Sequence, residues 1–179
     1  MAVTVVLSSA DLVLRPWEAC DATALAALAD DEEVRRWTSH RVADQEDAVH
    51  WIAAQGVGWE TRERLSFAVV AQGQAAGHIV LKRPGGAGTV AAIGYWTGAR
   101  SRGLGLASRA VEMLTTWAFD TDEGGALARL ELIHNVGNPA SCRVAEKTGY
   151  ALEAVLPPRP PCPLEGHLHV RERGATRSV

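Results

Sequence analysis

A strand pattern runs directly into a long amphipathic helix near the middle of the chain, with two glycines at the junction. Residues 89–97 are rich in β-branched and aromatic side chains, and apolar residues recur at helical spacing through residues 107–118. Gly103 and Gly105 lie between the two patterns. Any fold of this chain must therefore place a helix N-terminus, with its free amides and partial positive charge, at the end of a strand.

This junction predicts a cradle for a phosphate or pyrophosphate. Because Gly103 and Gly105 have no side chains, backbone amides can approach an anion closely, and Arg100 and Arg102 add positive charge. The alternative is that the glycines only shape a tight strand-to-helix turn. The segment does not match the dinucleotide-binding fingerprint, because Ser108 stands where a third glycine belongs, and it lacks the Gly-Lys-Ser/Thr end of a Walker loop.

Turn residues and hydrophobic periodicity divide the rest of the chain into strands and helices. The Gln72–Gln74 turn predicts a hairpin, so part of the sheet is antiparallel. Asn138 and Pro139 are typical of a helix start, and Gly149 closes that helix. The predicted elements are strands at 12–14, 66–71, 76–82, 89–97, 127–134 and 150–156, helices within 25–37, 44–63, 107–118 and 139–148, and a terminal strand at 167–171 after a proline-rich stretch. This order predicts one α+β domain over residues 1–179, with helices on the faces of a mixed, mostly antiparallel sheet.

The composition excludes several classes of protein. With 179 residues, 47% of them hydrophobic and 22% charged, the chain is typical of one globular domain. Eighteen Lys and Arg residues against 21 Asp and Glu residues give a net charge of −3, so we expect no nucleic-acid partner. No segment approaches the ~18 unbroken apolar residues of a membrane span, and the first residues lack the parts of a signal peptide. We therefore expect no membrane partner and a cytoplasmic location.

The cysteines and histidines do not predict a metal site. Cys20, Cys142 and Cys162 are far apart and form no Cys-x-x-Cys pair, which argues against a disulfide framework and a structural zinc site and favours a reducing compartment. His167 and His169 alternate on the predicted terminal strand and share a face, but the sequence shows no third ligand beside them. We expect no metal, and we interpret the two histidines as pocket-lining or solvated residues.

Several spaced motifs together resemble the GNAT acyltransferases, in particular the Rim-type branch of ribosomal-protein N-terminal acetyltransferases. The acyl-CoA loop of that family, Arg/Gln-x-x-Gly-x-Gly/Ala, is matched by residues 102–107, which follow an Ile-Gly-Tyr-Trp strand at 93–96. Downstream, Asn-Pro-Ala-Ser at 138–141 and Glu-Lys-Thr-Gly-Tyr at 146–150 are similar to the family's Asn-x-x-Ser helix and the motif that ends it. With matching segments upstream, the resemblance spans residues 12–156.

The resemblance implies that the sheet splays open between the strands at 89–97 and 127–134, and that acetyl-CoA, the acyl donor, enters this opening. Backbone groups near Trp96 and Thr97 would hold the pantetheine arm, and Asn138 would touch that arm besides capping its helix. The pyrophosphate would bind the amides of six consecutive residues: Arg102, Gly103, Leu104, Gly105, Leu106 and Ala107.

Acyl transfer to an amine requires a base, a stabilised carbonyl oxygen and a proton for the departing thiolate. Ser141, in the first helical turn after Asn138, is the candidate proton donor, unless it only bonds the backbone. Glu131 is the candidate base because burial within an apolar strand raises the pKa of a carboxyl group, unless it pairs with Arg129. His134 is the alternative base, and a chain of waters acting on an amine that binds already neutral is another.

These features predict an N-acyltransferase that moves an acetyl group from acetyl-CoA to a primary amine, either of a small molecule or of a protein N-terminus. The alternative is a non-catalytic acyl-CoA-binding or regulatory module of the same fold. We expect a monomer or a homodimer. Trp37, Trp51 and Trp59 lie in amphipathic segments and are interpreted as core residues, with a wall of the acceptor site as the alternative.

Overall fold

The computed structural model describes residues 5–38, 42–121, 126–159 and 163–174. Within these ranges the strands and α-helices follow in the order β1 (Leu7–Ser9), β2 (Leu12–Pro16), α1 (Ala22–Ala29), α2 (Glu32–Trp37), α3 (Gln45–Thr61), β3 (Arg64–Ala71), β4 (Gln74–Lys82), β5 (Val90–Thr97), α4 (Leu106–Asp120), β6 (Arg129–Asn135), α5 (Pro139–Lys147), β7 (Ala151–Leu156) and β8 (Gly166–Glu172). Among the described helices, none combines the length and the apolar character needed to cross a membrane.

The strands form one eight-stranded sheet in the order β1-β2-β3-β4-β5-β6-β8-β7. All neighbours pair antiparallel except β5 and β6, which are parallel and are connected by α4. The hairpin predicted at Gln72–Gln74 joins β3 to β4. The prediction of a mixed, mostly antiparallel α+β fold is confirmed.

The terminal strand β8 is not added at the edge of the sheet but lies between β6 and β7. Its antiparallel register pairs His134 with His167 and Leu132 with His169. The sequence predicted a strand here but not its position, because nothing local to a strand specifies which neighbours it pairs with. The sequence also missed β1, and the residues Pro160, Pro161 and Cys162 of the proline-rich stretch lie outside the described ranges.

Helices cover both faces of the sheet, as predicted. On one face α4 and part of α5 pack on the central strands, and Val111, Leu114 and Ala118 of α4 are fully buried. On the other face α1, α2 and α3 pack around Trp17 and Trp96. Burial of a leucine such as Leu114 contributes about 1.5–3 kcal/mol to stability relative to leaving it exposed. Packing of this kind on both faces holds the central strands between the two helical layers.

The sheet opens between its two parallel strands. Pairing of β5 with β6 begins at Val90 and Arg129 and ends at Ile93 and Leu132. Both strands continue past this point, β5 to Thr97 and β6 to Asn135, without pairing to each other. The predicted splay in the middle of the sheet is therefore confirmed.

Candidate active site

A cleft of about 440 Å³ lies along the end of β5, between the start of α4 and the first turns of α5. Its walls come from four parts of the fold: Glu33, Val34, Trp37 and Thr38 of α2 and its end; Tyr95, Trp96 and Thr97 of β5; Ser101, Arg102, Gly103, Gly105, Leu106, Ala107 and Ser108 at the α4 start; and Asn138, Ala140, Ser141, Arg143, Val144 and Lys147 of α5 and its cap. Most of the residues predicted to bind the acyl donor therefore line one continuous surface.

The start of α4 is open toward solvent and carries no side-chain cap. Gly105 occupies the N-cap position with φ 73° and ψ 7°, and Gly103 has φ 76°, a left-handed conformation that favours glycine. No heavy atom lies within 4 Å of a Cβ built at either glycine. The first amides of α4, including those of Leu106 and Ala107, have no partner within the helix and remain available to an anion.

The charged residues at the cleft are partly paired. Arg102, predicted to face the phosphates, forms an ion pair with Asp31, the residue that caps α2. Arg143 and Lys147 of α5 line the cleft without having been predicted to do so. Their positions follow from helical spacing, since residues four apart lie on the same side of a helix.

Two of the residues predicted to help bind the acyl donor, Leu104 and Arg100, lie at the edge of the cleft. Leu104 is 65% exposed and is not among the residues that line the cleft, and Arg100 is also exposed and outside the lining. The structure thus gathers Arg102, Gly103 and Gly105 at the cleft and leaves these two side chains in solvent.

Ser141 and Tyr95 meet where the cleft reaches the opening of the sheet. Asn138 caps α5, its Oδ1 accepting a hydrogen bond from the Ser141 amide (3.2 Å). The Tyr95 hydroxyl is buried and makes no hydrogen bond of ordinary geometry within the described residues. Burial raises the pKa of Tyr95 to about 12, while the nearby Ser141 hydroxyl counters part of this rise. Both hydroxyl groups therefore stay protonated at neutral pH and are available as proton donors.

Tyr95 is a functional candidate that the sequence did not single out. It belongs to the Ile-Gly-Tyr-Trp strand, where alternation places it on the opposite face from Trp96. Trp96 packs in the core under α1 and α3, whereas Tyr95 packs on the α4 side of the sheet. The alternation of side chains along this strand was the sequence signal that could have identified Tyr95.

Glu131, the predicted base, lies on β6 but does not line the cleft. Its Oε1 accepts a hydrogen bond from Arg129 Nε (3.1 Å), and Arg129 also pairs with Glu153 (2.6 Å) and Glu172 (3.2 Å). The ion pair that the sequence analysis named as the alternative for Glu131 is therefore present. The hydrogen bonds that Arg129 donates to these three carboxylates, first of all to Glu153, raise the pKa of Arg129.

Four further side chains meet on the other side of α5, between that helix and the sheet. His134, Cys142, His167 and His169 each point one nitrogen or sulfur atom at a common centre, and these atoms lie within 4.8 Å of one another. Desolvation by burial lowers the pKa of His134 and of His169, which favours the neutral form of both imidazoles. His134, predicted as an alternative base, is thus part of this group.

The three tryptophans considered for the acceptor wall separate into two groups. Trp37 lines the cleft, and its Nε1 donates a hydrogen bond to Glu33 Oε2 (2.7 Å). Trp51 packs edge-on against Trp17, and Trp59 packs edge-on against Phe67. The core interpretation therefore holds for Trp51 and Trp59, whereas Trp37 lies in a wall of the cleft.

Residues 11–151 match the model of the acetyltransferase (GNAT) domain family. Among curated proteins, no relative matches the sequence. The fold is similar to several solved structures. One is the microcin C7 self-immunity acetyltransferase MccE in complex with acetyl-CoA and AMP, with a TM-score of 0.83 and 20% identity over 92% of this chain and 93% of that one.

A second similar structure is RimL, the ribosomal L7/L12 α-N-protein acetyltransferase, in complex with coenzyme A, with a TM-score of 0.82 and 20% identity over 96% of this chain and all of that one. A third is the ribosomal-protein-S5-alanine acetyltransferase from Vibrio fischeri, with a TM-score of 0.80 and 16% identity over 95% and 97%. At these identities the likeness shows a shared fold, and the match over residues 11–151 shows the family.

Proposed function

The chain belongs to the acetyltransferase (GNAT) family, and we propose that it moves an acetyl group from acetyl-CoA to a primary amine by direct attack of the amine on the thioester. The observation that carries this proposal is the uncapped start of α4, which lies beside the unpaired end of β5 in a single cleft. An anion-binding helix start and an unpaired strand end in one place suit a long ligand with a diphosphate at one end and an amide-containing arm at the other.

The donor lies with its diphosphate on the amides from Arg102 to Ala107, and Gly103 and Gly105 leave room for it. Arg143 and Lys147, on the opposite wall, add positive charge for further phosphate groups. The pantetheine arm follows the end of β5, where Trp96 and Thr97 offer backbone groups that β6 does not use. Two of the similar structures contain acetyl-CoA or coenzyme A, which supports acetyl-CoA as the acyl donor.

The reaction needs a proton for the thiolate that leaves when the carbon–sulfur bond breaks. Ser141 supplies it, because its hydroxyl lies at the first turn of α5, where the helix dipole also favours a developing negative charge. The buried Tyr95 hydroxyl beside it is the second donor, since a phenol whose pKa burial raises to about 12 is protonated at neutral pH. Loss of both hydroxyl groups is expected to lower kcat more than loss of either one.

Glu131, which pairs with Arg129 and lies outside the lining of the acyl-donor cleft, is the proposed base for an amine that enters through the opening of the sheet. It lies on β6 next to the last paired residue, Leu132, where the sheet begins to open. Glu131→Gln is expected to lower kcat by at least ~100-fold, the usual contribution of a positioned base. Glu153→Gln is the matched control, because Glu153 pairs with the same Arg129 from β7. An equal fall of kcat in both variants would assign the loss to the ion network and remove Glu131 from proton transfer.

The acceptor is a small-molecule amine in preference to a ribosomal protein N-terminus. A net charge of −3 gives the chain no general attraction for the ribosome, and the Glu33 carboxylate beside Trp37 offers a cleft wall that suits a cationic or polar amine. Among proteins of this fold, RimL is an α-N-protein acetyltransferase of ribosomal L7/L12, whereas MccE is a microcin C7 self-immunity acetyltransferase whose complex contains acetyl-CoA and AMP. We place the reaction in the reducing cytoplasm, since Cys20 and Cys142 form no disulfide within the described part of the chain.

The test is a turnover assay with the purified protein, acetyl-CoA and a panel of amines that includes small polyamines, aminoacyl compounds and peptides with Ser or Ala N-termini. Release of the coenzyme A thiol reports turnover, and product mass identifies the acylated amine. Product from a small amine supports the proposal, while product from peptides alone would replace the acceptor assignment. An acetyl-CoA-dependent rise in Tm without any product would identify a non-catalytic binding module.

A further inference from the structure

We propose that four side chains between α5 and the sheet form a binding site for one Zn²⁺ ion: His134, Cys142, His167 and His169. This site is separate from the acyl-donor cleft and has no step in acyl transfer. His134 and Cys142 are distant in the sequence from His167 and His169. The pair of histidines near the C-terminus therefore gave, by itself, no reason to expect a metal.

The topology brings the three histidines to one face. The antiparallel register of β6 and β8 places His134 opposite His167 and Leu132 opposite His169, so that the imidazoles of all three histidines point toward α5. The His134 and His169 rings are stacked with centroids 5.2 Å apart, and the His167 ring meets that of His134 edge-on at 5.4 Å. Cys142, in the first turn of α5, supplies a sulfur atom from the helix side of this group.

The spacing is close to that of a tetrahedral zinc site. Zn–N bonds of about 2.0–2.1 Å and Zn–S bonds of about 2.3 Å at tetrahedral angles place neighbouring ligand atoms about 3.4–3.6 Å apart. Cys142 Sγ lies 3.3 Å from His167 Nδ1. All four ligand atoms lie within 4.8 Å of one another. Closing a pair of ligand atoms at the 4.8 Å limit requires a contraction of about 1.2–1.4 Å, which side-chain rotations supply.

A second observation points to a missing ligand. His169 is 2% exposed, and its Nε2 has no hydrogen-bond partner within the described residues; the buried Nε2 of His134 has none either. The other ring nitrogen of each is held by the backbone: His134 Nδ1 lies 2.8 Å from the Asn135 carbonyl, and His169 Nδ1 lies 3.3 Å from the Tyr150 carbonyl. A histidine that donates Nδ1–H to a carbonyl presents the lone pair of Nε2, which is the arrangement found around metal ligands.

The donor set selects the metal. Three neutral imidazoles and one thiolate suit Zn²⁺, whereas Mg²⁺ and Ca²⁺ require oxygen ligands. On binding, the Sγ–H bond of Cys142 is replaced by an S–Zn bond and the proton goes to solvent, so the site as a whole carries a charge of about +1. The ion ties the first turn of α5 to β6 and β8. Because Cys142 is adjacent to Ser141, it also fixes the start of the helix that carries the Ser141 hydroxyl.

The test uses the full-length protein, stripped of metal by a chelator and titrated with Zn²⁺ by calorimetry and with Co²⁺ by absorption spectroscopy. We expect one ion per chain, the intense visible bands of tetrahedral Co²⁺, and a near-ultraviolet charge-transfer band from the thiolate. Cys142→Ser is expected to remove the charge-transfer band, and His167→Gln to weaken Zn²⁺ binding by more than about tenfold.

Cys20→Ser and His50→Gln are matched controls. Each replaces a cysteine or a histidine that is exposed and lies outside the proposed site. Both are expected to bind Zn²⁺ and Co²⁺ as the wild type does. Absence of the tetrahedral Co²⁺ bands in the wild type would overturn the proposal, and so would a charge-transfer band that persists in Cys142→Ser. Circular dichroism shows whether each variant is folded, and if a histidine variant does not fold, the wild-type spectrum and Cys142→Ser decide the outcome. Turnover in the acetyl-CoA assay is measured separately, so failure of the metal site leaves the proposed function unaffected.

Discussion

Replacing Gly105 by glutamate is expected to abolish acetyl-CoA binding while the protein stays folded. Gly105 has φ 73° and ψ 7°, and a Cβ at this position would meet no heavy atom within 4 Å. The new side chain therefore enters open space in the free protein. The substitution is expected to lower the free energy of unfolding by about 1–2 kcal/mol, because a residue with a Cβ must then adopt a left-handed backbone conformation.

The cost to binding is larger, because the open space above Gly105 is the place assigned to the diphosphate. A carboxylate about 6 Å from one negative charge, at an effective dielectric constant of about 20, is repelled by about 3 kcal/mol. Since about 1.4 kcal/mol corresponds to a tenfold change in Kd, acetyl-CoA binding is expected to weaken by at least ~100-fold.

Titration calorimetry with acetyl-CoA measures this Kd, and thermal unfolding measures stability. Gly85→Glu is the matched control, because Gly85 has φ 74° and ψ 7°, is equally free of neighbours, and does not line the cleft. Both variants are expected to lose a similar amount of stability, and Gly105→Glu alone to lose acetyl-CoA binding. A wild-type Kd in Gly105→Glu would refute the assignment of the α4 start as the diphosphate site.

Three further predictions follow from single contacts. Ser141→Ala is expected to lower kcat at least about tenfold with little change in the Kd of acetyl-CoA, and an unchanged kcat would remove this hydroxyl from proton transfer. Asp31→Asn keeps a capping oxygen on α2 but releases Arg102, so calorimetry should show acetyl-CoA binding about two- to fivefold tighter; weaker binding would show that Arg102 does not face the phosphates. The hydrogen bonds from Arg15 lower the pKa of Asp21 below its ordinary value of 3.8, so this pair stabilises the fold above about pH 4 and ceases to do so as the pH falls through the lowered pKa. Urea unfolding of wild type and Asp21→Asn measures this contribution. The difference in the free energy of unfolding should be constant above about pH 4 and should shrink below it. A difference that stays the same until the Asp21 carboxyl group is fully protonated would contradict this.

The parts of the fold that are encoded locally could be predicted from the sequence. The β3–β4 turn contains Gly73 at positive φ, and α5 begins at the Asn138 cap, each within a few residues of the signal that specifies it. Strand neighbours are not encoded in this way. The position of β8 between β6 and β7 depends on its pairing with two strands from other parts of the chain, and no local pattern in residues 166–172 carries that information.

The same distinction applies to the candidate site. The open α4 start was predictable because Gly103 and Gly105 lie within one loop. The pairing of Arg102 with Asp31 joins residues 71 positions apart, and the approach of Tyr95 to Ser141 joins two elements separated by α4 and β6. These contacts exist only after α2 and α5 have packed on opposite sides of the cleft.

A crystal structure of the protein with acetyl-CoA tests the central claim most directly. The account predicts that the diphosphate accepts hydrogen bonds from the amides of Leu106 and Ala107, and that the thioester sulfur lies beside the Ser141 and Tyr95 hydroxyls. Acetyl-CoA bound at another surface, or no binding under conditions that saturate a member of this family, would contradict it.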